Sequence, residues 1–284
     1  VLVFSKITYR QNKKMMKKNI IIPGIIFFAA LAGFYSCKRD FSLHDPVSLP
    51  NGTAFLRIID ASPNFRSITG QADSFNVFVN GVKVTSYTPG TAVVMTYNAL
   101  FPTVSSNYGY VSVPAGADSI KLSVAGVVTP DSIPIQTLTK TLAAGQLYTF
   151  LITDSINSTR DSSRIFIQDS YPQPTSGYFN LRFIHAVWND TAGKAIDIWS
   201  ARNNRNIFTN VKPGAITTFT QYSYNTVLND TLFVRRSGTL IGLDTLSNVS
   251  FANQRTYTLY YKGDANINVN SKVKRRRLAT YVHQ

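Results

Sequence analysis

From about residue 52 onward, short runs rich in Val, Ile, Phe, Tyr and Thr alternate with clusters of Gly, Pro, Asn and Asp, and no long 3.6-residue periodicity interrupts them. That pattern predicts an all-β sandwich or barrel. Phe75–Val79 alternates apolar and polar, Asn80-Gly81 follows, and Val82–Val84 resumes. Asn-Gly between two such runs predicts a two-residue hairpin, because a type I′ turn needs positive φ at both central positions. Val113-Pro114-Ala115-Gly116 predicts a turn into a strand over Ser119–Val124, and Ala143-Ala144-Gly145 one into Leu147–Thr153. Arg164–Gln168 fits a last strand pairing back on Leu147–Thr153.

The pattern then repeats. Phe55–Ala61 aligns with Asn180–Ala186, Phe75–Phe78 with Ile196–Trp199, Ser119–Leu122 with Thr231–Val234, and Leu147–Phe150 with Thr256–Leu259. Four blocks in one order predict two tandem immunoglobulin-like antiparallel β-sandwich domains of ordinary size. The expected boundaries are 54–170 and 178–284, joined by a linker at 171–177. Leu278–His283 would close the second copy as Arg164–Gln168 closes the first.

Ahead of this body, Lys13, Lys14, Lys17 and Lys18 flank Met15 and Met16, and the apolar run Ile20–Tyr35 leads to Ser36 and Cys37. The run of about 16 residues is shorter than the roughly 20 a spanning helix needs. A basic region, an apolar core and a small residue describe a cleaved secretory signal over 1–36. Met15 or Met16 is the expected start. Cys37, the sole cysteine, resembles the acylated residue of a bacterial lipoprotein lipobox, with Phe34 where Leu is usual. The resemblance implies lipidation at Cys37, a tether over 37–53, and a place in the bacterial envelope on the outer membrane. An acylated thiol leaves a disulfide-free body, held together by its hydrophobic core.

The formal charge of +15 overstates the body's basicity, since six of the 29 basic residues lie in the leader. Lys272, Lys274, Arg275, Arg276 and Arg277 form a basic cluster. It reads as a solvated connection into the closing strand, where charge discourages edge pairing. Export also separates the chain from nucleic acid, so no nucleic-acid partner is expected. Every acidic residue is Asp, and no Asp pair stands in a glycosidase pattern.

The blocks Leu56–Asn64, Phe75–Gly81, Val113–Gly116 and Leu142–Thr149 resemble the bacterial domain-of-unknown-function family 4397. The resemblance covers most of 54–170 and, more weakly, 178–283. It implies tandem β-sandwiches in exported proteins and assigns no catalytic residue. Where that family often has His, the first copy has Asp60 and the second keeps His185. Val187-Trp188 replaces the family's Ser-Pro.

Of three histidines, His44 falls in the tether and His283 one residue from the end. His185, at a strand end near Asp190 and Asp197, is expected to serve as a structural hydrogen-bonding residue, because no Gly-x-Ser-x-Gly nucleophile turn accompanies it. A lone Cys and scattered His give no zinc spacing. Asp264, Asn266, Asn268 and Asn270 alternate like the start of a calcium loop, but Val269 and Arg275 stand where Gly and Glu are required, so a polar turn is expected. No metal or cofactor is called for. Tyr108, Tyr110, Trp188, Tyr222 and Tyr224 fall in or beside loops and are the candidate ligand-binding aromatics. The expected function is a non-catalytic envelope lipoprotein, membrane-bound through Cys37, whose sandwiches bind a glycan or an envelope protein. The alternatives are an envelope enzyme acting on polysaccharide through Asp residues, or a structural subunit of a surface assembly.

Overall fold

The computed structural model describes residues 52–63, 74–85, 87–88, 91–92, 95–96, 100–101, 109–124, 134–154, 164–190, 194–224, 229–267 and 274–283. The leader, Cys37, the tether with His44, and Tyr108, Asn268, Asn270 and Lys272 lie outside the described residues.

The described chain is all-β. Its first half contains β1 (Thr53–Asp60), β2 (Ser74–Val79), β3 (Val82–Lys83), β4 (Tyr87–Thr88), β5 (Thr91–Ala92), β6 (Met95–Thr96), β7 (Leu100–Phe101), β8 (Val111–Pro114), β9 (Gly116–Val124), β10 (Pro134–Leu142), β11 (Leu147–Ile152) and β12 (Arg164–Gln168). Its second half contains β13 (Tyr178–His185), β14 (Ile196–Ser200), β15 (Arg205–Val211), β16 (Thr220–Ser223), β17 (Asp230–Arg236), β18 (Gly242–Val249), β19 (Thr256–Lys262) and β20 (Arg277–Val282). The β2–β3 turn has the positive φ angles that Asn-Gly predicts, 50° at Asn80 and 79° at Gly81.

Four sheets carry the architecture. In the first half an inner sheet runs β12-β11-β1-β7, with β8 also on β1, and an outer sheet runs β10-β9-β2-β3, with β6 on β2. The second half repeats both orders as β20-β19-β13-β16 and β18-β17-β14-β15. Each pair of sheets closes on its own core. Leu56, Ile58, Tyr148 and Phe150 meet Phe75, Val77, Ile120 and Leu122 in the first. Leu181, Phe183, Leu259 and Tyr261 meet Ile196, Ile198, Leu232 and Val234 in the second.

The pairing corrects one expectation. The sheets are not antiparallel throughout: β1 runs parallel to β11, and β13 to β19, at the centre of each inner sheet. Parallel pairing needs a long crossover, and the outer-sheet strands supply it. Parallel strands also belong where both faces are covered, and here they are. Alternate residues Ile59, Leu151 and Ile165 of the first inner sheet pack against Ile184, Tyr260 and Tyr281 of the second in a third apolar cluster. The two inner sheets therefore lie face to face, in the order outer, inner, inner, outer. This explains why β1 is buried without a break from Leu56 to Asp60.

Charge is buried in that central seam. Equivalent registers place Arg57 beside Thr149 and Arg182 beside Thr258, and Arg57 is 0% and Arg182 4% exposed. Arg182 Nη2 donates to Asp169 Oδ1 at 2.5 Å and its Nε to Thr258 Oγ1 at 2.7 Å. Asp169 Oδ2 accepts from Thr149 and, at 3.0 Å, from Tyr110 Oη. Arg57 Nε donates to the Gly109 carbonyl at 3.0 Å, and its guanidinium lies 4.2 Å over the Tyr110 ring.

His283, directly after β20, is 2% exposed in the same seam. Its Nε2 is 2.7 Å from Thr258 Oγ1 and its Nδ1 3.4 Å from Tyr110 Oη. Thr258 accepts from Arg182 and gives its own proton to Nε2 of the neutral ring. Since Tyr110 already donates to Asp169, its oxygen accepts from Nδ1–H. The chain of bonds closes with a neutral imidazole. Burial, with the Arg182 and Arg57 charges nearby, holds the His283 pKa down at about 2. Asp169 stands 4.0 Å from His283 Nδ1, but Arg182 already occupies that oxygen.

The basic cluster is less solvated than the sequence suggests. Arg275 pairs with Asp244 at 2.8 Å and Arg276 approaches Asp190 at 3.8 Å. Gly263, at φ 113°, lets the chain fold back there; a Cβ would lie 2.3 Å from the Arg275 carbonyl oxygen.

Two stability measurements test the seam. Asp169→Ala strands a buried guanidinium and should cost about 3–5 kcal/mol in urea unfolding. Lower pH should also destabilise the fold. The unfolded chain binds a proton on His283 near pH 6.5, whereas the folded chain refuses it down to about pH 2, so stability is full above pH 6.5 and declines below. Between pH 6.5 and 5 the loss should approach about 1.4 kcal/mol per pH unit, and His283→Asn should flatten that slope.

Candidate functional site

The outer sheet of the second half keeps one face on its core and turns the other to solvent. Ile196, Ile198, Leu232 and Val234 point inward, so period-two alternation puts Asp197, Trp199, Phe233 and Arg235 on the outer face. The register sets Asp197 opposite Arg235 and Trp199 opposite Phe233. Trp199 and Phe233 meet edge to face, with centroids 5.6 Å apart at 61°. The Arg235 guanidinium lies 4.4 Å from the Trp199 ring centroid and 5.5 Å from that of Phe233.

Beside this stack an open cleft of about 400 Å³ is lined by Asp197, Trp199, Asn206, Arg235, Gly238, Thr239 and Leu240. Its size falls within the range of small-molecule sites, roughly 300–1,000 Å³. Two features of the sequence shape it. A register irregularity between Ile196 and Ile198 opens the β14–β15 pairing, where Asn210 adopts φ 52°. The β17–β18 turn raises Leu240, 87% exposed, as one wall. Asp197 ties both together: Oδ1 accepts from Asn210 N–H at 2.7 Å, and Oδ2 from Gly238 N–H at 3.2 Å and Asn206 Nδ2 at 3.4 Å. The Arg235 guanidinium makes no hydrogen bond or ion pair with any described residue, and it lies against the two rings. The cleft thus offers an aromatic edge, hydrogen-bond donors and one cation, while its sole carboxylate is occupied.

The first half has a cation–ring pair on the corresponding strands, with Phe78 at the place of Trp199 and Lys121 at the place of Phe233. Phe78 stands opposite Lys121, whose Nζ lies 4.6 Å over the Phe78 ring. Asn76 takes the place of Asp197 and accepts from Thr85 Oγ1 at 3.0 Å.

The loop aromatics singled out from the sequence fall elsewhere. Tyr110 belongs to the buried seam, where burial raises its pKa. Tyr222 is 8% exposed, packs on Phe179 and donates to the Ile207 carbonyl at 2.7 Å. Tyr222 is buried, while Tyr110 is half-buried with its hydroxyl committed to Asp169. Trp188 and Tyr224 are half-buried, and Tyr224 packs on the second core. Trp199 escaped notice because it sits inside a strand block, where an aromatic suggests core. The overlooked signal was its parity: one residue out of phase with Ile196 and Ile198.

His185 and Asp190 do meet, at 3.4 Å, but Asp197 does not join them. His185 Nδ1 lies 3.1 Å from the Val211 carbonyl, and among the described residues no hydroxyl bonds to the ring. Arg236 grips Asp190 with both Nη atoms, at 2.8 and 3.1 Å. Burial alone would raise the Asp190 pKa, but His185 and Arg236 outweigh it and bring it to about 2. This cluster is a buried brace between the 186–190 turn and β17, without a nucleophile. Among the described residues no group of three His, Cys or Asp could hold a metal.

No curated protein matches the chain. Among solved structures it is similar to a candidate polysaccharide-binding protein (DUF1812) from Bacteroides thetaiotaomicron, at 8% identity and a TM-score of 0.20, over 75% of this chain and 92% of that one. It is also similar to a candidate adhesin from Bacteroides ovatus, at 10% identity and a TM-score of 0.21, over 81% and 96%. At such TM-scores neither alignment bears on the fold or the function. The family match is of another kind: the family model of a domain of unknown function, DUF4397, matches residues 54–192, spanning the first pair of sheets and β13.

Proposed function

We propose that this chain is a non-catalytic envelope lipoprotein that holds a glycan on the outer sheet of its second half. The cleft beside Trp199 carries the reading. An aromatic side chain flanked by planar donors on a rigid sheet suits a sugar, whose C–H face needs apolar contact and whose hydroxyls need partners. Hydrolysis would call for a second carboxylate roughly 5–10 Å from the first. The cleft has only Asp197, and both its oxygens accept hydrogen bonds from the protein. The second pair of sheets, with the same strand order and register as the first, supports reading the body as two tandem copies of one domain, 54–170 and 178–284. Lipid on Cys37 would anchor both at the outer membrane.

Trp199→Ala should remove binding in a glycan array probed with the detergent-solubilised full chain, while the β-sheet circular dichroism spectrum stays unchanged. Retention of the same glycans by this variant would defeat the assignment. For the anchor, Cys37→Ser should move the protein from the membrane fraction to the soluble one, and mass spectrometry of the parent should show acyl mass on the peptide that begins at Cys37.

A further inference from the structure

The geometry points to a uronic-acid-bearing oligosaccharide as the ligand of the Trp199 cleft, its carboxylate held by Arg235. This rests on the glycan reading above and narrows it to a chemical class. A guanidinium stacked on an indole is fixed in plane while its N–H edge stays free, and that edge matches a carboxylate in a two-point fork. Arg235 has this arrangement, 4.4 Å over Trp199 with no hydrogen-bond acceptor among the described residues.

The rest of the cleft selects the size of the charge. A phosphate group is usually cradled by several free backbone N–H groups. Here the Gly238 and Asn210 amides are turned to Asp197. One cation without a backbone nest balances a single negative charge. Asp197 lies across from Arg235 in the register, but its carboxylate is satisfied by Asn210, Gly238 and Asn206, so it leaves the guanidinium to the ligand. The open side of the cleft leaves room for the flanking rings of an oligomer.

Titration calorimetry on the detergent-solubilised full chain tests this, with trimers of galacturonate, glucuronate and mannuronate, their methyl esters, and free acetate as probes. At least one acid trimer should bind, with its ester weaker by about tenfold or more, the usual scale for losing a charge-assisted pair. Arg235→Gln should erase the preference for acid over ester without altering the unfolding midpoint, and Arg235→Lys should restore it only in part. Equal affinity for acid and ester, with both lost in Trp199→Ala, would overturn the uronate assignment and leave the glycan reading standing. Absence of binding by any trimer or ester would overturn the uronate assignment, while the glycan array with Trp199→Ala decides the glycan reading on its own. Competition by acetate at the trimer's own concentration would show a bare ion site and overturn the saccharide part.

Discussion

Everything in this molecule is arranged around the burial of two arginines in the seam between its inner sheets. Arg57 and Arg182 occupy equivalent positions on equivalent strands, and each points away from its own core. A guanidinium taken out of water needs its donors filled. Arg182 finds Asp169 and Thr258, and the remaining atoms of those partners are met by Tyr110, Thr149 and His283. The apolar part of the seam, from Ile59 to Tyr281, supplies the driving force for contact. The polar part fixes how the sheets meet, because a shift in register would strand several buried groups at once.

The seam also explains the linker. Asp169 immediately follows β12 and lies 5% exposed. The Pro172 carbonyl then accepts from Asn180 Nδ2 at 2.7 Å. Proline-rich composition suggested a plain connector between domains, yet this segment is bound along its length, and residues 50–284 form one compact unit.

Local signals were the legible part of the sequence. The Asn80-Gly81 turn and the strand Arg164–Gln168 appear where pattern and turn chemistry place them, because each depends on neighbours in the chain. The aligned blocks also set Arg57 against Arg182, and the cross-strand partners of the two agree. What could not be read was which face of a strand meets what. β1 and β13 are apolar on both sides, and composition alone does not distinguish a wet face from one covered by another sheet. The parallel pairings, the burial of His283 and the place of Tyr110 at the seam all stem from that one fact. β10 went unread for a different reason, since its Thr- and Lys-bearing sequence alternates but is weakly apolar. Trp199 shows the converse case, since an aromatic inside a strand suits a core face or an exposed one and only its parity tells them apart.

The layering has a geometric outcome for anything the protein holds. Sheets stack about 10 Å apart, so the two outermost backbones stand roughly 30 Å from one another, with their free surfaces looking in opposite directions. The aromatic and cationic pairs at Phe78–Lys121 and Trp199–Arg235 are thus back to back rather than side by side. A straight polymer lying along one cannot reach the other without wrapping an edge. Two polymers held on opposite sides would be kept roughly 30 Å apart by the slab between them.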